Sequence, residues 1–150
     1  MTTLEEDPQW AESVRNCLSR HGIDSVSVVH APLRSYDDYE WYSLPSEPLP
    51  ERISLAVCDG PSGRAPGARY GLVPTLLSRL GAGTVLLLDD AERPSEREFI
   101  PRWSALLGAS PERVRPGHEP SPEYEFAVWR LPNDFILGPP SGPRIAPATA

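Results

Sequence analysis

Three carboxylates follow two short apolar runs, at positions where a parallel sheet would bring them together. The first run, Ile53–Cys58, ends at Asp59, and the second, Thr84–Leu88, ends at Asp89 and Asp90. Apolar runs of this length, separated by a helical segment, are typical of parallel strands buried on both faces. Residues just past the carboxyl ends of such strands line the ligand crevice of an open α/β sheet. We therefore expect the three aspartates to meet at one rim, and any chemistry to take place there.

The elements that would position this rim can be read in order along the chain. Asp7 is placed to cap a helix with Pro8 at its first position. A buried face at helical spacing follows, and the helix ends at Gly22; the face is formed by Trp10, Val14, Cys17, Leu18 and His21. A strand is predicted over Ile23–Val29, where β-branched residues are frequent.

The middle of the chain is predicted to be mostly irregular before the second strand of the rim. Residues 34–50 form a long loop with four aromatic side chains, which could stack on a planar ligand or cover the sheet edge: Tyr36, Tyr39, Trp41 and Tyr42. Gly60–Gly67 is too rich in glycine and proline for regular structure. A helix is expected from about Tyr70 to Leu80.

The last third of the chain predicts one helix and a strand pair. Ser95–Glu98 reads as a capping box, and the helix that it opens ends at Gly108. Its apolar stripe consists of Phe99, Ile100, Trp103, Leu106 and Leu107. Tyr124–Leu131 is predicted to be a strand, with Phe135–Leu137 as a short partner. The Pro- and Ala-rich residues from Gly138 onward are typical of a disordered tail.

Length and charge narrow the class of protein. A chain of 150 residues fits one domain, and a net charge of −7 argues against a nucleic-acid partner. All 14 basic residues are arginine. No apolar run reaches the ~20 residues that span a bilayer, and no secretory signal opens the sequence, so we expect a cytoplasmic protein without a membrane partner. Cys17 and Cys58 are expected to be buried free thiols.

The order of these segments resembles class I S-adenosylmethionine-dependent methyltransferases. The matching segments are TTLEEDPQW, VVHAPL, EWYSLP, AVCDGPSG, ARYGLVPTLL and VLLLDDAERPSERE, and they are similar to the small bacterial branch of catechol-type and macrocin-type O-methyltransferases. The resemblance implies a Rossmann-like α/β sheet with helices on both faces, spanning residues 1–138 before a tail at 139–150. It also implies methyl transfer to a hydroxyl of a small molecule or glycan.

The resemblance implies cofactor contacts at the end of the first strand. Glu5 matches the family acid that binds the ribose hydroxyls of S-adenosylmethionine, a task for which a carboxylate suits because it accepts from two neighbouring hydroxyls. The alternative is that Glu5, beside Asp7, only interacts with a helix dipole. His30 and Ala31 lie near the position of the adenine ring in the family, although a histidine there is also a common exposed edge residue.

The resemblance also implies a metal site. Asp59, Asp89 and Asp90 match the Mg²⁺ ligands of the metal-dependent branch, so Asp59 would be a residue on which catalysis depends and would lie beside the cofactor. The ion would lower the pKa of a substrate hydroxyl and orient it for in-line transfer. The alternative is that one or two of the aspartates merely cap helices. Arg69 and Arg93 could steady the loops or pair with these acids.

One departure from the family concerns its first strand. Family members carry a strand and a Gly-rich turn before the acid that matches Glu5, and that strand lies between those matching Thr2–Leu4 and Ile53–Cys58. Only four residues precede Glu5 here. The expected explanations are a start codon farther upstream, a truncated relative, or a homo-oligomer or partner chain that completes the sheet. A non-catalytic interaction module is therefore the alternative to an enzyme, and a metal-dependent hydrolase is a weaker one.

Overall fold

The chain is a mixed α/β protein with one four-stranded sheet and two smaller pairs of strands. The computed structural model describes residues 1–44, 49–62, 68–115 and 124–136. Within these ranges the strands are β1 (Thr2–Glu5), β2 (Ser27–His30), β3 (Leu33–Ser35), β4 (Glu40–Tyr42), β5 (Ile53–Cys58), β6 (Leu80–Leu88), β7 (Glu112–Val114) and β8 (Phe126–Arg130). The α-helices are α1 (Pro8–Arg20), α2 (Leu72–Leu76) and α3 (Pro94–Leu107), with 3₁₀ turns at Ala68–Gly71 and Leu77–Arg79.

The two acid-terminated strands are parallel neighbours, as the sequence predicted. The larger sheet has the order β5-β6-β8-β7, and β5 pairs in parallel with β6 so that Cys58 lies opposite Leu88. β8 runs antiparallel to both of its neighbours, which makes the sheet mixed. β1 and β2 form a separate parallel pair, and β3 and β4 an antiparallel hairpin. The described strands therefore do not form one continuous sheet.

Helix α3 forms the core against one face of the larger sheet. Its Trp103 ring lies 5.2 Å from that of Trp129 in β8, and the Trp103 Nε1 donates to the main-chain oxygen of Tyr70. The helix ends at Gly108 in the left-handed conformation, as predicted. The predicted capping box is wrong, because Pro94 takes the first helical position and Arg93 is the N-cap. Ser95 thus lies inside the first turn, where it bonds to the Glu96 carboxylate.

The aromatic segment after β2 is a hairpin rather than a long loop. All four of its aromatic side chains are buried in the core, namely Tyr36, Tyr39, Trp41 and Tyr42. The Tyr36 and Tyr39 rings stack at 5.0 Å, and Tyr39 packs edge-on against Tyr70. Burial in the core argues against stacking on a planar ligand, whereas covering the sheet edge stays a prediction.

Several predicted burial patterns differ from the structure. Asp7 does cap α1, accepting from the amides of Gln9 and Trp10, but Trp10 is 61% exposed and Cys17 is exposed as well. Cys58 is buried as predicted. Strand β5 is not buried on both faces, since Leu55 is 62% and Val57 60% exposed. The apolar sequence of β5 gives no sign that one of its faces lacks a covering element.

Boundaries near the sheet also differ. The segment predicted as a helix to Leu80 is divided among two 3₁₀ turns and α2, and β6 already begins at Leu80. Phe135 and Ile136 form no strand, and the actual outer neighbour of β8 is β7, which the sequence did not indicate. The predicted strand residue Leu137, the tail and residues 63–67 lie outside the described residues. Every helix in the described ranges is too short or too polar to cross a membrane.

Candidate functional site

Asp59, Asp89 and Asp90 meet at the carboxyl ends of β5 and β6. Each offers a carboxylate oxygen within 4.8 Å of the others. The parallel register of β5 and β6 explains why the three carboxylates are close together. The last hydrogen bond between the two strands joins the Asp89 amide to the Cys58 carbonyl at 3.0 Å, so the residues at the ends of both strands lie at one rim. Asp90 adopts a positive φ of 53°, a backbone conformation that aspartate tolerates better than most residues. The structure thus brings together all three predicted ligands.

Arg69 ties the two strand ends together from inside the protein. Its side chain is only 5% exposed. The guanidinium donates to the main-chain oxygens of Asp59 and Asp89, each at 2.9 Å, and to the Asp90 carboxylate at 3.1 Å. A fourth contact reaches the Asp59 carboxylate at 3.3 Å. Planar guanidinium geometry suits this task, since it offers several donors in fixed directions.

The three aspartates therefore differ in how far their carboxylates are accessible to a cation from solvent. Asp90 is buried; its Oδ2 accepts from Arg69 and forms an ion pair with Arg93 at 2.8 Å. Glu96, also buried, lies 3.7 Å from the Arg69 guanidinium. Asp59 is 72% exposed, and Asp89 is half-buried. The expectation that Arg69 and Arg93 pair with the acids is confirmed, and the solvent-facing pair at this rim is Asp59 and Asp89.

The carboxylates of Asp59 and Asp89 repel each other. Partial burial raises the pKa of Asp59, and a side-chain hydrogen bond and repulsion from Asp89 raise it further, while Arg69 acts in the opposite direction. On the other side, the Tyr124 hydroxyl donates to Asp89 Oδ1 at 2.5 Å. That hydrogen bond is the main reason why the pKa of Tyr124 is raised to about 12. A proton or a metal ion between the two carboxylates would relieve this repulsion.

The Tyr42 hydroxyl lies against Gly60, just past the carboxyl end of β5. A Cβ placed on Gly60, just past β5, would lie 2.5 Å from this oxygen, so only glycine fits there. Burial is the main cause of the raised pKa of Tyr42, and the carboxylates of Glu5, Glu6 and Asp59 raise it further. The phenol therefore keeps its proton at neutral pH and is available as a hydrogen-bond donor beside these acids.

The predicted cofactor residues lie together at the end of the β1–β2 pair. Glu5 is opposite His30 in the register, and its carbonyl accepts from the Ala31 amide at 2.8 Å. The Glu5 carboxylate accepts from the amide of Asp7, the N-cap of α1, at 3.1 Å. His30 is exposed, with its Nε2 3.2 Å from the main-chain oxygen of Glu6, whereas Ala31 is buried. Cofactor binding by these residues stays a prediction.

Sequence reasoning missed the two tyrosines of the site. The sequence pattern places Tyr42 in a predicted loop and Tyr124 at the start of a predicted strand. Both reach the acids through contacts between distant segments, Tyr124 being 35 positions away from Asp89 in the chain, so no local pattern marks them. Comparison with protein-family models and with curated proteins found no match for this chain.

Proposed function

We propose that this chain is a methyltransferase-like domain in which Asp59 and Asp89 bind a divalent cation, and which acts in methyl transfer to a hydroxyl of a small molecule or glycan. The observation that carries the proposal is the meeting of Asp59, Asp89 and Asp90 at one rim, within 4.8 Å. The contacts of the β1 end add support: Glu5 bonds to Ala31, the next residue Pro32 bonds to Ser43, and the neighbouring Tyr42 hydroxyl lies against Gly60 just past β5.

The donor set fits a hard divalent cation. Mg²⁺ and Ca²⁺ take oxygen ligands, and Mg²⁺ is commonly held by one or two carboxylates together with water. Asp59 and Asp89 supply two such carboxylates at a rim open to solvent, and Arg69 and Arg93 hold Asp90 behind them. When bound, the cation would supply Lewis acidity toward a substrate hydroxyl.

The fit to S-adenosylmethionine is incomplete among the described residues. Glu5, His30 and Ala31 lie together at the end of the β1–β2 pair, where the resemblance implies the ribose and adenine contacts. The described segments contain no counterpart of the Gly-rich turn that would approach the methionine part. We therefore derive no transfer step for these residues alone, and the proposal requires a further segment beside β1 to complete the cofactor site.

The chain's own groups have definite roles in this proposal. Arg69 fixes the relative position of the two strand ends by donating to the main-chain oxygens of Asp59 and Asp89. Tyr42 retains its proton at neutral pH beside the end of β5. Tyr124 donates to one oxygen of Asp89 and leaves the other available. Positioning of this kind is the main protein contribution to an in-line displacement.

Terbium luminescence tests the cation site directly. Tb³⁺ is a hard ion that takes oxygen ligands, and its emission is excited by a nearby tyrosine, for which Tyr124 is placed. We expect emission that Mg²⁺ or Ca²⁺ reduces by competition. Asp59→Asn and Asp89→Asn should each weaken Tb³⁺ binding about tenfold or more, because each removes one charged ligand.

Asp134→Asn is the matched control, since Asp134 is exposed and lies beyond β8 near Gly83, at the other end of the sheet from Asp89. Equal Tb³⁺ emission from all three variants would refute the cation site. Calorimetry with S-adenosylmethionine tests the other half of the proposal, with Glu5→Gln as the variant. Absence of heat at about 1 mM would exclude cofactor binding by the chain on its own.

A non-catalytic role has one observation in its favour. The acids already have an internal cation in Arg69, which bonds to both strand ends and to Asp90. A site of this kind holds the fold together whether or not a metal ion is bound. Under this alternative the aspartates stabilise the ends of β5 and β6, and the chain acts as an interaction module. Tb³⁺ binding that depends on Asp59 and Asp89 separates the two functions.

A further inference from the structure

Arg69 lies on a 3₁₀ turn whose main chain is held from two sides. The Trp103 indole of α3 donates to the Tyr70 main-chain oxygen at 2.8 Å. On the other side, β4 approaches the turn so closely that a Cβ on Gly71 would lie 2.5 Å from the Trp41 Cβ. Helix α3 and the β3–β4 hairpin therefore fix the backbone that carries Arg69.

An exposed ion pair joins the same helix to the same hairpin. Asp38 lies in the connection between β3 and β4, and its carboxylate accepts a hydrogen bond from the Arg102 guanidinium of α3. The Arg102 Cζ lies 3.8 Å from the centroid of the Tyr70 ring, and the Tyr39 ring packs edge-on against that ring. The Asp38 side chain is 57% and that of Arg102 48% exposed, so the pair is the part of this arrangement that solvent reaches.

We propose that the Asp38–Arg102 ion pair regulates the cation site by holding the 3₁₀ turn that carries Arg69. The proposal rests on the proposed function for the identity of the ligand, a divalent cation. Asp38 and Arg102 are positioning residues in this proposal, because they act on the cation ligands through the turn. Since the arginine stacks on the Tyr70 ring and the aspartate fixes the arginine, removal of either group loosens the same contact.

The step from the turn to the cation site follows from the bonds of Arg69. Its guanidinium donates to the main-chain oxygens of Asp59 and Asp89, each at 2.9 Å, and thereby joins the ends of two parallel strands. The carboxylates of the two aspartates carry the same charge and lie at one rim. Looser positioning of Arg69 allows these like charges to move apart, and a cation would then find its two ligands at a less favourable separation. Loss of the ion pair should therefore weaken cation binding.

Ionic strength is the expected regulator. Salt screens charges exposed to solvent far more than buried ones, and the Asp38–Arg102 pair is about half exposed, whereas the Arg69 side chain is 5% exposed. Added salt should therefore reduce the contribution of the pair before it affects the buried contacts of Arg69. The effect of removing the pair on cation affinity should be largest at low salt and should disappear near 1 M salt, where the Debye length is about 3 Å.

Tb³⁺ titration of a charge-neutral double variant tests the proposal on the full chain. Asp38→Asn combined with Arg102→Gln removes the pair without changing the net charge, and we expect Tb³⁺ to bind about threefold more weakly at low salt. Each single substitution should weaken binding by a similar factor, because both remove the same interaction. If the two charges acted only through their long-range field, removal of the Arg102 cation would instead strengthen Tb³⁺ binding and removal of the Asp38 anion would weaken it. That pattern would overturn the proposal.

Glu12→Gln is the matched control, since it removes the acid of another exposed ion pair, that of Glu12 with Arg15 on α1. It should bind Tb³⁺ like the wild type. Circular dichroism shows that the variants are folded, and thermal melts separate positioning from stability. A double variant that melts at a lower temperature but binds Tb³⁺ with unchanged affinity would show that the ion pair only stabilises the fold, which also overturns the proposal.

Hydrogen exchange in the metal-free protein distinguishes failure of this proposal from failure of the cation site. The Trp103 indole N–H reports on the turn through its bond to Tyr70, and the Asp89 amide reports on the strand ends through its bond to Cys58. We expect both to exchange faster in the double variant and at the wild-type rate in Glu12→Gln. Unchanged exchange at both groups overturns the coupling, whether or not Tb³⁺ binds. Faster exchange in a protein that binds no Tb³⁺ would refute the cation site and leave the coupling of the ion pair to the strand ends in place.

Discussion

Removal of the Arg69 guanidinium should be among the most damaging single changes in this protein. Arg69→Met keeps most of the length of the side chain but removes its charge and donors. It leaves the buried carboxylates of Asp90 and Glu96 without their internal cation, and the main-chain oxygens of Asp59 and Asp89 without a donor. Stranding a buried charge in this way costs about 3–5 kcal/mol.

This cost is large against the roughly 5–15 kcal/mol that stabilises a typical domain. For a chain of this length each kcal/mol lowers the melting temperature by roughly 2–4 °C, so we expect a decrease of about 10 °C. Thermal unfolding followed by circular dichroism measures it. Arg93→Met is the matched control: it also contacts Asp90, but its side chain is half exposed, and such pairs contribute only about 0.2–1 kcal/mol.

A second variant separates charge from packing. If the penalty comes from stranded carboxylates, Glu96→Gln should destabilise the wild type and yet recover part of the loss in the Arg69→Met background, because it removes one of the unpaired charges. Additive effects of the two changes would contradict the electrostatic explanation. An Arg69→Met protein that melts within about 2 °C of the wild type would refute the account of Arg69 altogether.

Two further outcomes follow from the acid pair. The folded-state pKa of Asp59 is raised, so its contribution to stability is present below its unfolded pKa and is lost as pH rises through the folded value. Asp59→Asn should therefore raise the metal-free melting temperature at pH 7, by about 1–3 °C because the side chain is exposed and screened. The same substitution should remove the stabilisation by Mg²⁺ or Ca²⁺. An unchanged metal-free melt would contradict the repulsion. Asp89→Asn should lower the pKa of Tyr124 from about 12 toward its ordinary value, which phenolate absorbance in an alkaline titration measures. An unchanged titration would mean that the hydrogen bond to Asp89 is not the cause of the raised pKa.

The parts of the site that could be predicted are those with a local signal. The apolar runs before Asp59 and Asp89 predicted two strands, and the rule that parallel strands end at one rim placed their acids together. The stripe in α3 predicted its buried face apart from Leu106, which is exposed, since helical spacing is readable over 14 residues. These signals depend on neighbours within a few positions of the chain.

The parts that could not be predicted depend on distant partners. β3, β4 and β7 have three residues each, too few for a period to show. The exposure of Leu55 and Val57 in β5 has no signature of its own, because an apolar strand has the same sequence whether or not another element covers it. The four bonds of Arg69 require a 3₁₀ turn that brings it under both strand ends, and sequence reasoning predicted only that it would pair with acids.

The balance of charge at the rim explains how one cluster can be both structural and open to a ligand. Four carboxylates, those of Asp59, Asp89, Asp90 and Glu96, face the two guanidinium groups of Arg69 and Arg93, which leaves a formal charge of −2. Both guanidinium groups bind Asp90, at 3.1 and 2.8 Å, whereas Arg69 alone reaches the Asp59 carboxylate, at 3.3 Å, so we expect the unbalanced charge on the exposed pair. A single divalent cation would neutralise that pair. The arginines therefore stabilise the fold without occupying the position at which a metal ion would bind.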